Sequence, residues 1–143
     1  MNAHSPTLEI KRLIDAPVQR VFDAWMQRAQ WAAWIGPEGM KCEVPEMEPR
    51  VGGRYRIIMN MSDGSTLPVI GTFQTIDAPH LFAFTWKWEG GEHDSLVTIS
   101  LRDVGGKTEL TLRHDGLLTA ENVEGHGKGW SSALNKLEAY VRA

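Results

Sequence analysis

Cysteine is almost absent from the 143-residue chain: Cys42 stands alone, so no disulfide can form within it. An excess of basic charge is absent too. Lys and Arg number 15 against 18 Asp and Glu, a formal net charge of −3, which argues against a general nucleic-acid binder. No apolar run approaches the ~20 residues needed to span a bilayer, so no membrane insertion is expected. Met1–Pro6 is polar and lacks the apolar stretch of a signal peptide. A lone thiol without a secretory signal points to a cytoplasmic setting. Repeats, low-complexity tracts and linker-like segments are missing as well. The expectation is a disordered N-terminus at 1–6 and a single domain over 7–143. What the chain does have is tryptophan, six of its twelve aromatic residues. Trp is bulky, seldom fully buried, and suited to walls that are apolar with one polar edge.

The patterning reads as one strand, two helices, a run of about six strands and a long helix. Thr7–Ile14 is the first strand, with Leu8, Ile10 and Arg12 on one face. Asp15 is a candidate N-cap and Pro17 suits a first helical turn. Val18, Val21, Phe22 and Trp25 then share one helical face. A second, short helix over Gln30–Trp34 stops at Gly36-Pro37. Strands follow at Lys41–Pro49, Arg54–Met61, Leu67–Ile76, Leu81–Trp88, Ser95–Leu101 and Lys107–His114, separated by turn signals such as Asp63-Gly64 and Gly105-Gly106. Thr119 is placed to cap the last helix, whose stripe is Val123, Gly127, Trp130, Leu134, Leu137 and Val141. Gly125, Gly127 and Gly129 weaken that helix by about 1 kcal/mol each relative to Ala. Something local must need them, such as a bend or a close approach to the sheet. Helices segregated from a mostly antiparallel sheet make the fold class α+β.

The geometry leaves a covering problem. Seven strands make a sheet of roughly 33 by 23 Å. A helix of about 22 residues is ~33 Å long but only ~10 Å wide, and covers less than half of one face. Twist curls such a sheet inward. A curved sheet gripping one helix leaves a space between them.

Several stretches resemble the START-related helix-grip superfamily (SRPBCC), in the branch similar to the C-terminal domain of the activator of Hsp90 ATPase. They are IDAPVQRVFDAW at Ile14–Trp25, WIGPEGMKC at Trp34–Cys42, VGGRYRIIM at Val51–Met59, GTFQTIDAPHLFAFTW at Gly71–Trp86, SLVTISL at Ser95–Leu101, TELTLRHDGL at Thr108–Leu117 and GHGKGWSSALNKLEAY at Gly125–Tyr140. The resemblance spans nearly the whole chain. It implies a seven-stranded curved sheet wrapped around a long C-terminal helix, with two short helices after the first strand and a hydrophobic pocket inside. Members of the wider superfamily carry sterols, lipids, plant hormones and polyketides, and some are enzymes, so the fold alone does not fix the function.

On that reading the partner is a small hydrophobic or amphipathic molecule. The candidate pocket wall comprises Trp34, Tyr55, Ile57, Met59, Val69, Phe73, Phe84, Trp86, Trp88, Val97, Leu112, His114, Trp130 and Leu134. Tyr55, His114 and an indole N–H are candidates to orient the ligand. Trp34 either packs under the first helix or forms part of a lid, and the Gly36-Pro37-Glu38-Gly39 loop is a candidate gate. His114 and His126 each have a structural reading, hydrogen-bonded to backbone, beside a functional one at the cavity mouth.

Other chemistries find less support. The enzymatic alternative, a cyclase- or hydrolase-like activity, has His114 as its one candidate general acid or base. A chaperone partner is the third reading, resting on the resemblance. No cofactor is implied. The five histidines show no H-x-x-x-H spacing and there is no C-x-x-C, so no metal site is expected. Gly125–Gly129 lacks the P-loop pattern. Ser131 and Ser132 sit in GWSSA on a helix, without a nucleophile elbow. Cys42 has no activating base in sequence, and Glu43 and Glu46 read as solvated surface. The chain reads as a monomer or a homodimer.

Overall fold

The computed structural model describes residues 7–142, so the expected disorder of 1–6 lies outside the described residues. The elements run β1 (Leu8–Ile14), α1 (Val18–Met26), α2 (Arg28–Trp34), β2 (Lys41–Met47), β3 (Arg54–Asn60), β4 (Thr66–Asp77), β5 (Leu81–Trp88), β6 (Ser95–Val104), β7 (Lys107–Asp115) and α3 (Ala120–Arg142). All seven strands form one antiparallel sheet in the order β1-β7-β6-β5-β4-β3-β2. From β2 to β7 the chain is a meander, each strand beside its predecessor. β1 closes the far edge by pairing with β7, from Leu8 opposite His114 to Ile14 opposite Thr108. The α1–α2 pair therefore carries the chain from one edge of the curved sheet to the other. The fold is α+β, a helix grip.

Local chemistry explains most boundaries. β3 alternates buried Tyr55, Ile57 and Met59 with half-buried neighbours, the period-2 signature of a sheet with one covered face. Asp15 does not cap α1. Pro17 takes the N-cap place with no side-chain hydrogen bond, because the helix starts at Val18, beyond Asp15's reach. α2 starts at Arg28, two residues before the expected Gln30. At α3 the cap is Thr119, whose Oγ1 accepts from the Asn122 N–H at 3.0 Å.

The sheet is not uniform. Gly71 faces Tyr55 across β3–β4, and the phenol lies over it. A Cβ there would fall 2.0 Å from the Thr85 carbonyl oxygen and 2.6 Å from the Tyr55 ring, so only glycine fits. The β4–β5 register shifts just beyond, between Phe73 and Thr75. Bulges of this kind bend a strand and increase its twist.

The core is aromatic and lies between the sheet, α1 and α2. Trp25 packs on Trp34 at 4.7 Å between ring centroids, on Phe82 at 5.4 Å and on Trp130 at 6.0 Å. Trp31 meets Tyr55 at 5.1 Å and Phe84 at 5.8 Å. These edge-on and tilted arrangements each add about 0.5–1.5 kcal/mol to the area they bury. Trp130, Leu134, Leu137 and Val141 of α3 close the core from the other side. Among the described residues no helix is long and apolar enough to cross a membrane.

Candidate functional site

Strand β5 marks where packing gives way to space. Along its inner face Phe82, Phe84, Trp86 and Trp88 are 0, 1, 5 and 37% exposed. The first two are sealed under α1. The last two border a partly open cleft of about 430 Å3. Its floor is Met59, Leu67, Trp86 and Trp88, with Met61 just beyond β3. One flank is the loop from Ile35 through Gly36 and Pro37 to Met40. The other is the first half of α3: Glu121, Asn122, Gly125, His126, Gly129, Trp130 and Ala133. Three methionines give the wall side chains that adapt to an irregular guest. A depression of about 450 Å3 over β4–β6 has a comparable volume, but short and polar groups such as Thr75, Thr85, Asp94 and Ser95 line it and it opens more widely. Wall chemistry, not volume, separates the two.

The α3 glycines divide by what surrounds them. A Cβ on Gly127 would lie 3.3 Å from Leu8 Cδ1, a close approach of helix to sheet. At Gly125 and Gly129 a Cβ would meet nothing within 4 Å, and both positions border the cleft. Neither has a positive φ. No steric or backbone constraint therefore asks for glycine there. Their missing side chains are part of the open volume.

His114 is fully buried beside the cleft and is not part of its wall. The Trp130 indole N–H donates to His114 Nδ1 at 3.0 Å. His114 Nε2 and Ser95 Oγ are 2.7 Å apart, and the Ser95 hydroxyl donates to the Trp86 carbonyl at 2.9 Å. The chain of donors assigns the neutral tautomer with its proton on Nε2. Burial, reinforced by neighbouring His126, pushes the His114 pKa down to about 3. Both ring nitrogens are committed and the imidazole stays uncharged at ordinary pH, a poor arrangement for proton transfer to a guest.

The polar groups of the wall cluster at the N-terminal end of α3. Asn122 Nδ2 donates to the Leu117 carbonyl at 2.7 Å. His126 Nδ1 is 2.9 Å from the Asn122 carbonyl, which can only accept, so the ring proton sits on Nδ1. Glu121 makes no ion pair among the described residues. The facing loop is fastened to α3. Lys136 Nζ donates into the carbonyls of Ile35, Gly36, Pro37 and Met40 at 3.2–3.4 Å. The Glu38 N–H donates to Ser132 Oγ at 2.6 Å, and Asn135 Nδ2 to Glu38 Oε1 at 3.0 Å.

Of the residues singled out from the sequence, Met59, Trp86, Trp88 and Trp130 meet around the cleft. Ile57, Val69, Phe73, Phe84, Val97, Leu112 and Leu134 pack in the core behind it. Tyr55 is also in the core, its hydroxyl donating to the Thr85 carbonyl. Burial raises its pKa well above the ordinary phenol value. Trp34 takes the packed alternative, its indole donating to the Ala24 carbonyl at 2.9 Å. The Trp130 N–H is given to His114, and the Trp86 N–H is buried without a partner. Pattern reading passed over Glu121, Asn122, Gly125 and Gly129 as wall residues. Their signal is helical spacing: with His126, Trp130 and Ala133 they recur at intervals of three and four, one face of α3. Half-buried Cys42 has its thiol pKa raised by burial, the reverse of an activated nucleophile. Among the described residues no three His, Cys, Asp or Glu side chains are placed to hold a metal ion.

Comparison with known proteins agrees with this architecture. A family model described as Activator of Hsp90 ATPase homolog 1-like protein matches residues 15–142. A crystal structure of a protein from Chromobacterium violaceum is 27% identical, with a TM-score of 0.89 over 96% of this chain and 97% of that one. The AHSA1 protein of Silicibacter pomeroyi is 26% identical, with a TM-score of 0.83 over 96% and 98%. A protein from Mycobacterium smegmatis is 25% identical, with a TM-score of 0.81 over 93% and 88%. A search of curated proteins finds no match.

Proposed function

The chain belongs to the Activator of Hsp90 ATPase homolog 1-like family, and from that premise we propose that it binds a small hydrophobic or amphipathic molecule in the cleft between β3–β5 and α3. The observation that carries this reading is the pair Gly125 and Gly129. Each weakens α3 by about 1 kcal/mol relative to Ala. At each, a Cβ would meet no atom of the described residues beyond its own helix backbone within 4 Å. A loss of helix stability with no packing return is accounted for by a guest that occupies the space. The apolar wall supplies the driving force. A ligand burying about 300 Å2 of apolar surface gains roughly 7.5 kcal/mol before the cost of immobilisation, so submillimolar to millimolar affinity is expected.

The test is titration with the neutral fluorophore N-phenyl-1-naphthylamine. Saturable binding at one site per chain is expected. Gly129→Leu, which places an isobutyl group in the cleft, lowers the affinity by about tenfold or more while unfolding stays cooperative. Trp130→Ala alters the emission of the bound probe. Binding that never saturates, or that ignores the leucine, counts against the cleft.

A further inference from the structure

We infer that the guest is an amphipathic amine: an apolar body within the Trp- and Met-lined cleft and a cationic, hydrogen-bond-donating head at the N-terminal end of α3. The inference rests on the ligand-binding reading above and adds the head group's chemistry.

Apart from the indoles, the polar side chains of the wall are Glu121, Asn122 and His126, and what they offer the cleft is chiefly acceptors. Asn122 uses one Nδ2 hydrogen on the Leu117 carbonyl, and its Oδ1 is free to accept. His126 uses its Nδ1 proton on the Asn122 carbonyl, which leaves the Nε2 lone pair. Glu121 contributes a carboxylate, acceptor only. What this rim can still do is accept hydrogen bonds next to a negative charge. A carboxylate, sulfate or phosphate head would find no cationic side chain there to pair with and would meet Glu121's repulsion.

The neighbouring cations do not change that sign. Among the described residues no Lys or Arg lines the cleft. Lys128 lies 3.5 Å from Glu124, and Lys136 is held by the four loop carbonyls. A helix N-terminus ordinarily attracts anions, but here Thr119 takes the Asn122 N–H and Glu121 stands in the first turn. The aromatic wall favours a cation as well. Trp86 lies 5.1 Å from Trp130 and 6.2 Å from Trp88, and Trp88 is 6.0 Å from His126, so a series of indole rings leads from the floor to the polar rim. Indole faces attract ammonium groups.

The experiment compares 1-octanol, octylammonium and octanoate, three heads on one chain length, by quenching of tryptophan emission and by calorimetry. It is run at about pH 8, above the ordinary imidazole range. The expected order is octylammonium tightest, octanol next and octanoate weakest, with about tenfold between first and last. Glu121→Gln brings octylammonium close to octanol. Glu121→Lys moves octanoate ahead of octylammonium. Glu121 is exposed, so neither change threatens the fold. Octanoate binding as tightly as octylammonium, with octanol still saturable, overturns the amine and leaves the ligand-binding reading standing. An ammonium preference that survives both Glu121 substitutions also overturns it. Absence of saturable binding by all three removes both readings.

Discussion

At His114 the chain buries an imidazole completely and joins it to three partners in series: Trp130 donating in, Ser95 beyond, and the Trp86 carbonyl at the end. The same bonds that lock the Trp130 ring against the cleft make the folded protein sensitive to acid. The pKa of His114 is about 3 in the folded state against an ordinary 6.5. A depressed folded value means that, below 6.5, the unfolded chain takes up a proton the folded chain refuses. Stability is therefore intact above about pH 6.5 and falls by about 1.4 kcal/mol per pH unit below it, down to the folded pKa. His114→Gln removes that slope. The stability gap between wild type and variant, read from urea unfolding, is expected to narrow by about 2 kcal/mol between pH 6.5 and pH 5. A gap independent of pH would mean that His114 takes up its proton equally in the folded and the unfolded chain.

Helix α3 has two sides with different demands. Its buried stripe of Trp130, Leu134, Leu137 and Val141 packs the core, while Gly125 and Gly129 open the cleft. Because no neighbour lies within 4 Å of a Cβ at either glycine, Gly125→Ala and Gly129→Ala are each expected to raise unfolding free energy by about 1 kcal/mol. Gly127→Ala should gain less, since its methyl would press on Leu8 at 3.3 Å. Denaturant midpoints of the three variants check this order. The C-terminal half of α3 also holds the α2–β2 loop. Lys136→Met deletes the donor to four carbonyls and leaves these part-buried groups to find water. Amide exchange over residues 35–40 is expected to accelerate, with the β6–β7 hairpin unchanged as the internal reference.

For the whole molecule, the cleft links binding to folding. A guest that binds only the native state at 100 times its dissociation constant raises stability by about 2.7 kcal/mol. Octanol at that excess should shift the urea midpoint of wild type more than that of Gly129→Leu, where a tenfold weaker affinity leaves at most about 1.4 kcal/mol. The fold was legible because it rests on local pattern. Alternation in Arg54–Asn60, the aromatic face of Leu81–Trp88 and the turns between strands each announce themselves over a few residues. The Asp15 cap misled because capping depends on which residue adopts the first helical dihedral, a matter of one or two positions. At the cleft, legibility was partial. Bulk marked the indoles, but Gly125 and Gly129 matter for what they lack, and an absence is visible only once the neighbours are in place. By itself, then, the sequence determined the order and type of the elements, the curved-sheet architecture and the need to cover more apolar surface than one helix can. Tertiary structure decided how that surface is divided. Trp25, Trp31 and Trp34 fill one part of the space as core, and Trp86, Trp88 and Trp130 border the part left open. The reason is physical: periodicity fixes which face a side chain occupies, whereas filling depends on the three-dimensional meeting of faces distant along the chain.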